Sequence, residues 1–269
     1  MRYPLTKTRA LLVFALTMLP AAGIFAHDTW LIPQRTAVIS DAIINLDLTS
    51  GMAFPTLEYP IKPDRIEKAL CRLDGKTTAI QVRRSSLKSL RLTARLTGSG
   101  TATIWVQLKP KALELTPKLV IEYLDEIGAS DEIRQQWKSA SPKRWREVYS
   151  KHAKTFVRAG NRDDDQSWGE PVGLALEIIP EQNPTTLRIG DVLTVRVLKN
   201  GEPLAGFPLG LVGPGNPNGS IQRTDAEGRT GFTLGRPGRW LLRGTEQRRS
   251  SQPDKEWESD FTTLTVEVR

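Results

Sequence analysis

The chain has little of the chemistry from which most metal centres and active sites are built. Its 269 residues hold one cysteine, Cys71, and two histidines, His27 and His152. A lone cysteine forms no intrachain disulfide, and a chain of this length can bury an adequate core without one. No P-loop, GxSxG, HExxH or dinucleotide fingerprint occurs. Beyond residue 25 there is no apolar run approaching the roughly 20 residues that a spanning helix needs. Polybasic blocks and basic stripes interleaved with aromatics are also missing. The chain has 38 basic and 30 acidic residues, a net charge of +8. Three of the basic residues, Arg2, Lys7 and Arg9, sit at the extreme amino terminus. The remainder is a mildly basic, well-mixed surface, which argues against nucleic acid as a partner.

What is present begins with a leader. A basic stretch is followed by ALLVFALTMLPAAGIF at residues 10–25 and by the small residue Ala26. That order is expected of a cleaved signal peptide over residues 1–26. The mature chain would then be a soluble periplasmic protein whose first residue is His27.

Most of the mature chain reads as short strands. Ile44, Leu46 and Leu48 alternate with Asn45, Asp47 and Thr49; LRLTARL at 90–96 alternates likewise, and TATIWVQL at 101–108 is β-branched and aromatic. Thr116–Pro117 opens a helix whose apolar residues are Val120, Tyr123, Leu124 and Ile127, with Gly128 behind them. A second short helix is expected over 130–139. A third is expected from Ser141–Pro142, with Trp145, Val148, Tyr149, His152 and Phe156 spaced by three and four. After the polar stretch 161–171 the strand pattern returns, with Asn200–Gly201 as a hairpin turn. The loop GPGNPNG at 213–219 is too rich in turn residues to be structured on its own. The expected fold is mainly β, with two immunoglobulin-like antiparallel β-sandwich domains. The first, residues 27–170, carries a helical insertion at about 116–156; the second is residues 171–269.

A terminal histidine can hold a metal twice, because its α-amine and ring Nδ1 close a six-membered chelate. The amine's ordinary pKa of about 7.7–8.0 lets a metal displace its proton near neutral pH. A second imidazole, for which His152 is the only candidate, would complete a three-nitrogen histidine brace suited to Cu(II) or Ni(II). His152 could equally be a core histidine, since it lies on an apolar stripe. Asp28 could orient the site from behind or simply begin the first strand. Asp163, Asp164 and Asp165 lack the spacing of a calcium loop and read as a solvated linker. The seven tryptophans read mostly as packing. No constellation for general acid–base catalysis is apparent, so the expected protein is not an enzyme.

Several stretches in order resemble a known bacterial family: HDTWLIP at 27–33, GMAFP at 51–55, PDRI at 63–66, YSKHAKTFVRAG at 149–160, LEIIPEQNP at 176–184, GEPLAGFPL at 201–209, TDAEGRTGF, GRWLLRGTEQRR and WESDFTTLT. The family is a domain of unknown function described as the periplasmic component of ABC-type cobalt or nickel transport. The resemblance implies an immunoglobulin-like carboxy-terminal half and an exposed metal-binding histidine at the mature start, here His27. Many members carry a second histidine two positions on, where this chain has Thr29. It also implies delivery of nickel or cobalt to an inner-membrane transporter or an outer-membrane receptor complex. Two rivals remain open: a copper histidine-brace protein, either a carrier or an oxidative polysaccharide-cleaving enzyme, and a structural or adhesive β-sandwich module with incidental histidines.

Overall fold

A computed structural model describes residues 27–251 and 256–269. The expected signal peptide, 1–26, lies outside the described residues. The fold is mainly β and sandwich-like, built from three sheets. The largest has ten strands and runs through the whole molecule. Its order is Asn216–Arg223, Pro208–Gly213, Gly238–Arg249, Trp257–Val268, Trp145–Ala159, Gly100–Leu108, Ile66–Leu73 and Lys76–Ala79. Lys111–Leu115 and Ala37–Val38 also pair with Trp145–Ala159.

The two halves of the chain meet inside this sheet. Trp145–Ala159 runs parallel to Trp257–Val268, with His152 opposite Thr262. The expected division at 161–171 falls between the strands Trp145–Ala159 and Leu176–Pro180, and the central sheet crosses it. Arg72 holds the connecting stretch by donating from Nη1 to the Pro171 carbonyl at 3.0 Å and from Nη2 to the Ser167 and Glu170 carbonyls at 2.6 Å.

A smaller sheet packs on each face of the large one. Successive side chains of a strand point to opposite faces, so the burial of neighbours tells the faces apart. Val157 joins a core with Leu31, Leu46, Leu48, Leu90 and Leu92 of the five-stranded sheet. Phe156, next to it, joins a second core with Ile178, Val195 and Val197 of the four-stranded sheet. Trp145–Ala159 is thus covered on both sides, and every residue from Lys151 to Val157 is buried.

Two helices form a third core beside the sheet. Helix α1, Pro117–Glu126, begins with proline in its first turn and is followed by Gly128 at φ 62°, a left-handed conformation that suits glycine at a helix end. Helix α2, Asp131–Ser139, is capped by the Ser130 hydroxyl, which accepts from the Ile133 N–H at 3.3 Å. Val120, Tyr123, Leu124, Ile133 and Trp137 face Trp145 and Trp257, whose rings stack 4.3 Å apart.

The third expected helix is a strand. Residues from Trp145 onward enter the sheet, so the helical insertion ends at Ser139 rather than near 156. A strand buried on both faces shows no polar alternation, and its apolar residues can fall by chance at spacings of three and four. The loop at 213–219 also departs from expectation, because the edge strand Asn216–Arg223 begins within it, paired to Pro208–Gly213. Asn200 and Gly201 form the expected tight turn, at φ 51° and 89°.

Candidate functional site

His27 immediately precedes the strand Asp28–Pro33, which pairs antiparallel with Ile43–Gly51, placing Asp28 opposite Gly51 and Thr29 opposite Ser50. Ser50 in turn faces Tyr59. His27, Thr29, Ser50 and Tyr59 therefore share one face. Three contacts fix this corner. The Thr29 and Ser50 hydroxyls lie 3.1 Å apart, and Ser50 Oγ donates to the Asp28 carbonyl at 2.8 Å. The His27 ring stacks on Tyr59, with centroids 5.3 Å apart and planes 3° from parallel. Lys151 Nζ donates to the His27 carbonyl oxygen. His27 is thus held by its ring and by its backbone carbonyl.

A groove of about 410 Å³ opens beside this corner, lined by Thr29, Ser50, Tyr149 and Lys151 among others. Three further cations, Lys62, Arg65 and Lys111, and one carboxylate, Asp64, also line it. Lys151 is only 9% exposed. Its ammonium lies near the Tyr149 and Phe261 rings, 5.5 and 5.1 Å from their centroids. Burial pushes the ammonium's pKa down to about 8, partly opposed by Asp28 and assisted by Arg65.

The structure does not bring the two histidines together. Lys151 points to His27, so its neighbour His152 points to the opposite face of the sheet. There the His152 ring is 1% exposed, and Nε2 lies 3.3 Å from Asp260 Oδ1. Asp260 also accepts from Lys199 and, at 2.9 Å, from Arg248. The two rings therefore point to opposite faces of the sheet, and His152 belongs to a partly buried polar network with Asp260, Lys199 and Arg248. Asp28, expected behind His27, is tied elsewhere: its Oδ2 accepts from Arg243 Nη1 at 2.6 Å. Being the next residue along the strand, it also faces away from the His27 ring.

Other donors are likewise engaged. The buried Cys71 thiol has its pKa pushed up to about 12 by burial, so it does not offer a thiolate. Asp164 pairs with Arg162 at 2.6 Å, while Asp165 accepts from the Thr101 and Ser167 N–H groups. Among the described residues no group of three or more His, Cys, Asp or Glu side chains is arranged to hold a metal ion.

The His152 network carries a pH prediction. Burial alone would raise the Asp260 pKa, but hydrogen bonds from His152 and Lys199 and their charges outweigh it and hold the carboxyl well below its ordinary value. A carboxylate depressed in the folded state contributes stability that is complete above its unfolded pKa of about 3.9 and is lost as pH falls towards the folded value. Asp260→Asn is expected to cost about 1–2 kcal/mol at pH 7. The loss stays modest because Lys199 and Arg248 keep Glu246, at 3.1 and 2.6 Å. Urea unfolding of the variant below pH 4 should show a shallower fall in stability than the unaltered chain.

Sequence reasoning named His27 but missed Tyr59, Lys151 and the cations of the groove. Nothing local marks them, because strand pairing alone brings them together from residues 59–65, 111 and 149–151.

The fold and this corner define a mainly β, sandwich-like protein with a basic surface groove at its first strand. The chain belongs to the family described as Domain of unknown function (DUF4198), whose model matches residues 24–246. No curated protein matches it. Among solved structures, the D0–D1 domain of intimin is 13% identical, with 88% of this chain and 96% of that chain covered and a TM-score of 0.23. The Yersinia pseudotuberculosis adhesin InvE is 12% identical, with 90% and 58% covered and a TM-score of 0.25. The Escherichia coli adhesin FdeC is 13% identical, with 90% and 64% covered and a TM-score of 0.21. Scores this low mean that the strand arrangements superpose poorly, and these likenesses do not bear on function. No helix among the described residues is long and apolar enough to cross a membrane.

Proposed function

We propose that the mature chain is a non-enzymatic periplasmic binder of a divalent transition metal, nickel or cobalt first, that uses the amine and imidazole of His27 and not His152. The observation that carries this reading is the fixing of residue 27. Its carbonyl is held by Lys151 and its ring by Tyr59, while its backbone nitrogen and ring nitrogens make no hydrogen bond with any described residue. Cleavage after Ala26 would turn that nitrogen into a free amine. A chelating pair held in one conformation loses less entropy on binding than a frayed end does. The metal would then pass to an inner-membrane transporter or an outer-membrane receptor complex. The copper brace, as carrier or oxidative enzyme, is set aside because its second imidazole faces away; copper itself would still suit two nitrogen donors.

A second reading is a structural or adhesive β-sandwich module. The observation in its favour is the structural role of His152, which leaves the chain with one surface histidine. Native metal analysis of the chain exported to the periplasm separates the two. Metal is expected to co-purify with the unaltered chain and with His152→Gln, checked for folding by circular dichroism, and to be lost from His27→Gln. Metal-free protein in all three would favour the structural module.

A further inference from the structure

The groove beside His27 is a poor place for a bare dication. Four cations, Lys62, Arg65, Lys111 and Lys151, line it against the single carboxylate of Asp64. Among the described residues none of the four forms an ion pair. Unpaired cations are common on this chain, but here four of them line one groove, and one of the four, Lys151, is buried.

Two of the four are short of acceptors. The Lys151 ammonium has three N–H donors, and the His27 carbonyl accepts one. Arg65 donates from Nη2 to the Lys109 carbonyl at 2.8 Å, but its Nε is buried without a partner. Buried donors left unpaired are costly and are normally satisfied by something. An anion in the groove would give Lys151 an acceptor and would be further held by Lys62 and Lys111 at the exposed rim.

The His27 chelate also needs completing. It supplies two donors, and among the described residues no group of three or more His, Cys, Asp or Glu side chains is arranged to hold a metal ion. A divalent first-row metal takes four to six ligands, so a bound chelator can supply the others. A small polycarboxylate supplies oxygen ligands and excess negative charge together, and carboxylates pair well with Lys and Arg. Inorganic phosphate offers the charge but not a chelate.

We infer that the groove takes a small polycarboxylate and that the metal reaches His27 as its anionic carboxylate chelate, the acid lying among Lys62, Arg65, Lys111 and Lys151 while the metal faces the terminal amine and imidazole. This inference rests on the terminal-histidine reading and names its substrate class. No covalent bond is made or broken; the chelate exchanges water or weak oxygen ligands for the two nitrogens, and the amine releases its proton.

The test is calorimetry on the exported chain with three probes: nickel chloride in a non-coordinating buffer, preformed nickel citrate, and citrate alone. Nickel citrate is expected to bind about tenfold more tightly than either component. In the double variant Lys62→Glu, Lys111→Glu, both changes at exposed positions, affinity for nickel citrate should fall about tenfold while affinity for nickel chloride rises. That opposition of sign is the signature, because a folding defect would weaken both. If citrate merely strips nickel from the protein, or if the charge reversals move both affinities together, the inference is overturned and the terminal chelate stands. If nickel binds in neither form, the terminal chelate itself is overturned, and the inference falls with it.

Discussion

Replacing Glu177 with leucine is expected to destabilise the fold by about 3–5 kcal/mol, measured as a fall in the urea midpoint at pH 7. Lys154 and Glu177 form an ion pair at 2.8 Å, and each side chain is only 2% exposed. It joins the last part of the shared strand Trp145–Ala159 to the first strand of the four-stranded sheet. Glu177 also accepts from the Val172, Gly173 and Leu174 N–H groups, so it fixes the end of the connecting stretch. Burial alone would raise the Glu177 pKa; the Lys154 ammonium and the N–H donors outweigh it and keep the carboxyl below its ordinary value. Among the described residues Lys154 has no other acceptor. Leucine at 177 would therefore strand a charge in the interior, where an uncompensated ion costs several kcal/mol. The double variant Lys154→Met, Glu177→Leu should recover more than half of the loss, since an apolar pair can replace a buried ion pair. Recovery stays incomplete because the N–H groups of residues 172–174 lose their acceptor.

Adding one alanine ahead of His27 in the mature chain is expected to weaken nickel binding by about 100-fold, roughly 2.8 kcal/mol. The extension leaves the imidazole, Tyr59 and Lys151 untouched. It converts the His27 nitrogen from an amine into an amide, which does not ionise near neutral pH. The six-membered ring is lost, and the metal keeps one protein donor. The new amine belongs to alanine and lies one residue farther from the ring. Unchanged urea unfolding is the control.

The strands most legible in the sequence are those whose apolar residues alternate with polar ones or that are rich in β-branched and aromatic residues. Ile44, Leu46 and Leu48 alternate because they face the first core while Asn45, Asp47 and Thr49 point to the other face, and Leu90–Arg95 alternates likewise. Thr116–Pro117 marked helix α1, and Asn200–Gly201 marked its turn, because caps and turns are local chemistry. The strand Trp145–Ala159 was illegible because it is buried on both faces, and its apolar spacing mimicked a helix. That error carried over to the site. In a helix His152 and Lys151 would lie about 100° apart around the axis, whereas in a strand the two point to opposite faces. The parallel pairing with Trp257–Val268 joins residues more than 100 apart, and no short-range pattern foretells it. His27 could be found from the leader that precedes it; the groove beside it could not, since its cations come from two separate strands and the stretch 62–65.

Nickel titration of the exported chain, beside the same chain carrying one added alanine, bears most directly on what residue 27 does. A single tight site in the first and a site weaker by about two orders of magnitude in the second is the expected pair of isotherms. Equal affinity in the two would mean that the terminal nitrogen is not a ligand, and the proposed function would have to be abandoned.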